Sequence, residues 1–190
     1  MAILPIVTWN DPVLKQKTDP VQENSQELQT LIDDMFDTMY HASGVGLASP
    51  QIGRRLRLFV VDADEISQEY DEPSFGPMVF INPEITRKGG EVVSMEEGCL
   101  SIPEVRDDVK RPSEITIRFL DRNFQEQKIS FDGLLSRVIQ HEYDHIEGIL
   151  FLDHLSAFRR RLHRSKLRKI EEGSMKTDYP LVEKRDLKSK

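Results

Sequence analysis

DGLLSRVIQHEYDHIEG, residues 132–148, makes apolar and polar demands on one surface. Leu134, Leu135, Val138, Ile139 and Ile146 recur at helical spacing, with Ile149 just beyond, and Asp132 can cap a helix from about 133 to 147. On that helix His141 and His145 share the stripe of Leu134 and Val138, where burying an unpaired imidazole costs energy. Two imidazoles one turn apart can share a cation, and Glu142, directly after the first, projects beside them toward a bound water. A surface helix with solvated histidines is the competing reading. The flanking apolar residues count against it.

Outward from this helix the chain reads as one domain of mixed structure. Residues 24–42 form an amphipathic helix through Leu28, Leu31, Ile32, Met35, Phe36, Met39 and Tyr40. Asn24 with Glu27 resembles a capping box, and Gly44 ends the helix. RLFVVD (57–62), MVFINP (78–83), EVVSMEEG (91–98) and ITIRFLD (115–121) read as strands. A turn at Arg122 and Asn123 leads into QKISFD (127–132), making a hairpin. Residues 64–77 read as a polar loop without periodicity. The order is helix, mostly antiparallel strands, then the central motif-bearing helix, without strand–helix alternation, so the expected class is α+β.

The chain has 190 residues, 38% of them hydrophobic and 31% charged, with a formal net charge of -7. That balance argues against DNA as a partner of the whole protein. The opening MAILPIVTWNDPVL has neither a basic leader nor a long apolar run, so no signal peptide and no membrane partner are expected. A single cysteine, Cys99, permits no internal disulfide and fits a reducing, cytoplasmic location. Residues 154–170 carry seven Lys and Arg and no Asp or Glu, a charge of +7, so the remainder carries -7 minus 7, or -14. Leu155, Phe158, Leu162, Leu167 and Ile170 make this segment a basic amphipathic C-terminal helix, followed by a frayed polar tail ending in EKRDLKSK.

A tetrahedral catalytic site needs a third protein ligand and a position for water. The extended pattern His-Glu-x-x-His-x-x-Gly-x-x-His is matched through Gly148 and then meets Phe151. Glu171 and Glu172 lie at a usable distance but in a segment that looks exposed. Cys99, in EGCLS, is by itself better read as a small buried hydrophobe. Beside two histidines that lack a partner, it becomes the better candidate.

With Cys99 included, three motifs resemble those of peptide deformylases in the family's order. These are GVGLASPQ (44–51), EGCLS (97–101) and QHEYDH (140–145), and the likeness runs from ILPIV near the start to about residue 155. Ser49 stands where the family usually has a second alanine. The resemblance implies a catalytic domain over 1–155, with a basic helix and polar tail over 156–190. It implies removal of the formyl group from N-formylmethionyl nascent peptides by a metal-bound hydroxide. Cys99, His141 and His145 are then the ligands of one divalent ion, Fe(II) in the cell, with Zn, Ni or Co as substitutes. Glu142 becomes the general acid/base, and Gln51 and the N–H of Leu100 stabilise the oxyanion.

The same resemblance lays the peptide beside Val45, Gly46 and Leu47 as an added strand. It puts the methionine side chain in a pocket of Val45, Met95, Leu134 and Val138, floored by His141. Arg106 is expected to pair with Glu97 and to reach substrate carbonyls. Two other readings of the helix compete: a metallopeptidase that cuts internal amide bonds, and a metal-binding regulator that has no use for Glu142. Neither accounts for the first two motifs. The basic C-terminal helix is read either as a ribosome-docking element or as a solvated helix packed on the domain.

Overall fold

The computed structural model describes residues 2–69 and 73–182. Five strands form one antiparallel sheet in sequential order: β1 Gly46–Ala48, β2 Leu58–Val61, β3 Met78–Cys99, β4 Ile102–Leu120 and β5 Glu126–Phe131. The helices are α1 Gln26–His41, α2 Asp64–Glu69, α3 Gly133–Ile146, α4 Ala157–Leu162 and α5 Arg164–Glu171. The α+β expectation holds, with α3 at the centre.

Alternation along the short strands explains the layering. Leu58 and Val60 of β2 join Leu47 and the α1 residues Leu28, Ile32, Met35 and Met39 in one cluster. Phe59 and Val61 face the other way, with Ala48, Phe80, Ile117 and the α3 residues Leu135, Val138 and Ile139. All four β2 residues are fully buried because helices cover both faces, which is why RLFVVD reads as an unbroken apolar run. A third cluster joins Ile102, Val105 and Val109 to Leu150, Phe151, Leu167 and Ile170.

Several boundaries differ from the sequence expectation. The α1 cap is Ser25, whose Oγ accepts from the Leu28 N–H at 3.2 Å, rather than Asn24. The segments 78–83 and 91–98 belong to one 22-residue strand, β3. Pro83 and the pair Gly89 and Gly90 lie at shifts of register rather than at strand ends, because bulges absorb them. Residues 64–69, read as loop, form α2. Asp62 Oδ1 accepts from the Asp64 N–H at 3.3 Å, and Ile66 packs on the α3 cluster.

The basic segment is not one helix but two, broken at His163, whose Nε2 donates to Asp107 Oδ2 at 2.7 Å. Its apolar stripe divides accordingly: Leu167 and Ile170 are buried, whereas Phe158 and Leu162 are 69% and 65% exposed. The tail beyond Gly173 does not fray at once. Leu181 forms a parallel bridge with Ile6, while the EKRDLKSK end, 183–190, lies outside the described residues. No helix among the described residues is long and apolar enough to cross a membrane.

Candidate metal centre

β3 and β4 form a long hairpin whose turn is residues 100–101, with Cys99 paired to Ile102. This puts the Cys99 sulfur at the hairpin end, against the buried face of α3. One ligand atom each of Cys99, His141 and His145 lies within 4.8 Å of the others. Cys99 Sγ and His145 Nε2 are 3.3 Å apart. Such spacing suits bonds of about 2.0–2.3 Å to one shared cation, so the donor set fits a divalent metal ion. Phe151, at the position of a third histidine in the extended pattern, is buried and stacks on His141 with ring centroids 6.3 Å apart. Glu172 is exposed and paired with Arg168, and with Glu171 it lines a different surface groove.

The polar residues of α3 are buried, and β3 and β4 supply their partners. His141 Nδ1 donates to Glu97 Oε2 at 3.0 Å, which leaves Nε2 with a lone pair for a metal. Arg111 grips Glu97 through Nε at 2.6 Å and a terminal nitrogen at 2.9 Å. Arg137 adds a third contact at 2.7 Å. Arg111 also donates to Asp144 at 2.7 Å, and His154 Nε2 donates to the same carboxylate at 2.8 Å. Glu97 and Asp144 thus balance Arg111 and Arg137, all of them buried. Burial would push Glu97 up, but the hydrogen bonds from His141 and Arg111 outweigh it and hold this carboxyl well below the usual range.

Arg106 therefore does not pair with Glu97. It is exposed at the cleft, and its carboxylate neighbour is Glu96, at 3.8 Å. Strand alternation is the cause: Val105, Asp107, Val109 and Arg111 face inward on β4, and Arg106 points out. Glu97 lines the cleft, but its oxygens are engaged by the two arginines and His141.

Glu142 is buried against Gly46. A Cβ added at Gly46 would lie 2.5 Å from Glu142 Oε1, so the backbone approach that the glycine permits is real. Glu142 Oε2 has no hydrogen-bond partner among the described residues. Burial pushes this carboxyl up to about 7, the range suited to a group that takes and returns a proton near neutrality. Gln51 is buried, and its Oε1 accepts from the Ala48 N–H at 2.8 Å. That bond aims Nε2 toward Cys99 Sγ at 3.4 Å and Ser101 Oγ at 3.3 Å. The unusual Ser49 is accommodated because its hydroxyl donates to the Leu56 carbonyl at 2.5 Å.

A cleft of about 680 Å³ opens onto these groups, lined by Val45, Gly46, Gln51, Met95, Leu100, Leu134, Val138, His141 and Glu142. The structure brings nearly all the expected site residues together. Leu47 is the exception: its side chain is fully buried in the α1 cluster, because the alternation of β1 turns it from the cleft. Its backbone is turned inward as well: the Asp62 N–H donates to the Val45 carbonyl, so alternate pairing along β1 faces the Leu47 N–H and C=O to Val60, and it is Gly46 that presents backbone groups to the free edge.

Sequence reasoning missed Arg111, Arg137, Asp144 and His154. A signal did exist for Arg111, since charged residues at 107 and 111 continue the alternation of Val105 and Val109. Residues 176–179, which also line the cleft, were missed too.

A family model described as polypeptide deformylase matches residues 3–161. A peptide deformylase from Salinibacter ruber is 54% identical over 188 residues, covering 97% of this chain and 96% of that protein. One from Christiangramia forsetii is 47% identical, covering 94% of this chain and 95% of its own length. The crystal structure of a peptide deformylase from Legionella pneumophila matches with a TM-score of 0.80 at 44% identity, covering 90% of this chain and 96% of that one. That of the enzyme from Ehrlichia chaffeensis in complex with actinonin gives 0.83 at 38% identity, covering 93% of this chain and all of the other. Sequence and fold agree over nearly the whole length, around a cysteine and two histidines gathered at one point, and the chain belongs to the polypeptide deformylase family.

Proposed function

We propose that the chain removes the N-formyl group from the formylmethionine of nascent polypeptides, with Cys99, His141 and His145 holding one divalent cation and Glu142 moving the proton. One observation carries this reading: the three ligand atoms lie within 4.8 Å of one another, beside a buried glutamate with an unpartnered oxygen. When bound, the cation lowers the pKa of a water and so supplies the nucleophile near neutral pH. Fe(II) is the cation proposed in the cell, with Zn, Ni or Co able to take its place. A thiolate ligand is consistent with an oxidation-prone Fe(II) form and a reducing cytoplasm.

Glu142 Oε2 would take a proton from the attacking water while the water oxygen adds to the formyl carbon. Gln51 Nε2 and the Leu100 N–H donate to the oxygen on which charge develops. The C–N bond then breaks, Glu142 returns the proton to the departing amine, and formate leaves. Val45, Met95, Leu134 and Val138 receive the methionine side chain, and the peptide adds along the free edge at Gly46. The tight approach of Gly46 to Glu142 favours a carbon bearing only hydrogen over an internal amide. Arg106, exposed at the rim, reaches substrate carbonyls.

Ribosome docking through α4 and α5 is the second half of the proposal. Arg159, Arg160 and Lys166 are occupied by Asp107, the Leu152 carbonyl and the Glu104 carbonyl. Arg161 and Arg164 line an open groove, which leaves them to meet phosphate. Reversing both charges should weaken association with ribosomes and flatten its salt dependence.

The central test compares formyl-Met peptides with unformylated ones, using protein purified without oxygen. Release of formate only from the former is expected, and Glu142→Gln should abolish turnover with the ion still bound. Cleavage of internal bonds, or full activity in that variant, would overturn the reading.

A further inference from the structure

The turn that carries the proposed oxyanion donor lacks the features that make a two-residue hairpin self-sufficient. Neither Leu100 nor Ser101 has a left-handed backbone, whereas the turns best suited to such hairpins need one. Its geometry is held from outside. The Trp9 N–H donates to the Ser101 carbonyl at 2.9 Å. The Tyr179 hydroxyl donates to the Leu100 carbonyl at 2.8 Å. Both carbonyls of the turn are thus tied by segments remote in sequence.

Those two segments are also tied to each other and to the second donor. The Ile6 N–H donates to the Pro180 carbonyl, and the Val182 N–H to the Ile6 carbonyl, both at 2.9 Å. The Val7 N–H donates to the carbonyl of Gln51 at 2.8 Å. Residues 6–9 therefore link Gln51, the 100–101 turn and the tail. Within the tail, Thr177 Oγ1 donates to the Tyr179 carbonyl at 2.6 Å, and Tyr179 and Leu181 pack on the same apolar cluster as Leu100. Lys176, Thr177, Asp178 and Tyr179 line the cleft itself.

We infer that residues 176–179 form a strap along the active-site cleft, and that Tyr179 is a positioning residue that holds Leu100 so its N–H meets the developing oxyanion. The inference rests on the proposed role of the Leu100 N–H. That N–H and the anchored carbonyl are separated only by the φ and ψ rotations of Leu100, so fixing one restrains the other. Tyr179 touches no reacting atom. Its loss should act on the transition state, where the oxyanion forms, and little on ground-state binding.

The test uses the full-length, metal-loaded enzyme carrying Tyr179→Phe, which keeps the ring and removes only the hydroxyl. Loss of one neutral hydrogen bond predicts a kcat about three- to tenfold lower, with KM within about twofold and an unchanged ratio of metal to protein. In the metal-free protein, amide hydrogen exchange at Trp9, whose N–H is bonded to the Ser101 carbonyl of the same turn, should quicken by a similar factor while exchange in α3 stays as in the parent. An unchanged kcat, or a lowered kcat without faster exchange at Trp9, overturns the inference. Gln51→Met separates the two levels. If it too leaves kcat intact, the oxyanion reading itself fails; if it alone lowers kcat, only the strap does.

Discussion

Glu97→Gln removes one charge from the middle of a buried set of four. The parent site holds Glu97 and Asp144 against Arg111 and Arg137, and the Glu97 and arginine side chains are no more than 7% exposed. The amide keeps the volume and one acceptor, but its NH₂ must face a guanidinium or the His141 Nδ1–H, donor against donor. Two cations then share one carboxylate, and breaking such a buried pair costs about 3–5 kcal/mol. At about 2–4 °C per kcal/mol for a chain of this size, Tm should fall by roughly 6–20 °C. His141 also loses the acceptor that fixes its tautomer, so metal affinity should drop about 10–100-fold. Thermal unfolding of the metal-free protein reads the first effect, and chelator competition reads the second. Adding Arg137→Met should recover part of the Tm, because it removes the excess charge. A Tm within about 2 °C of the parent together with unchanged metal affinity would refute the reasoning.

Gly46→Ala should lower kcat by about 100-fold with the ion retained, since the new methyl at 2.5 Å from Glu142 Oε1 forces the base aside by roughly 1 Å. Parent-like turnover with full metal content would contradict this. Burial would raise Asp107, but Arg159, His163 and the Asp108 amide outweigh it and depress this carboxyl. The depressed value means that its contribution to docking α4 and α5 is complete above about pH 4 and is lost as pH falls through the lower folded value. Amide exchange in α5 should therefore rise only in acid, whereas Asp107→Asn should show the released pattern already at pH 7. Chelation should abolish formate release, and adding a divalent cation back should restore it. Activity that survives complete chelation would remove the metal from the proposal.

The sequence was most legible where a single period governs an element. Leu28, Ile32, Met35 and Met39 announce α1, and Leu134, Leu135, Val138 and Ile139 announce α3, because each helix buries one stripe against the sheet. The His141 and His145 pair could be read because both ligands lie on one helix. Cys99 became the better candidate only beside two histidines that lacked a third partner, and the motif resemblance then assigned it, since nothing local distinguishes a ligating thiol from a packed one. The partners of Glu97 were hidden for a geometric reason. Arg111 is fourteen residues away on the next strand, and only the register of β3 against β4, bulges included, decides that it rather than Arg106 turns inward. Those bulges also made one long strand look like two, since Pro83 and the paired glycines resemble terminators. At the C-terminal end, composition could show that residues 154–170 are basic. It could not show that the segment would divide at His163, or that this imidazole would bond Asp107.

The bridge between Ile6 and Leu181 has a kinetic corollary. A contact between residues so far apart forms after local helices and hairpins, because the intervening chain must first be ordered. Ile6 is made well before Leu181, and it waits for its bridge partner until Leu181 has emerged. During refolding from denaturant, α3 helicity and the long hairpin should return first. Turnover should lag behind them by the time the two ends take to find each other.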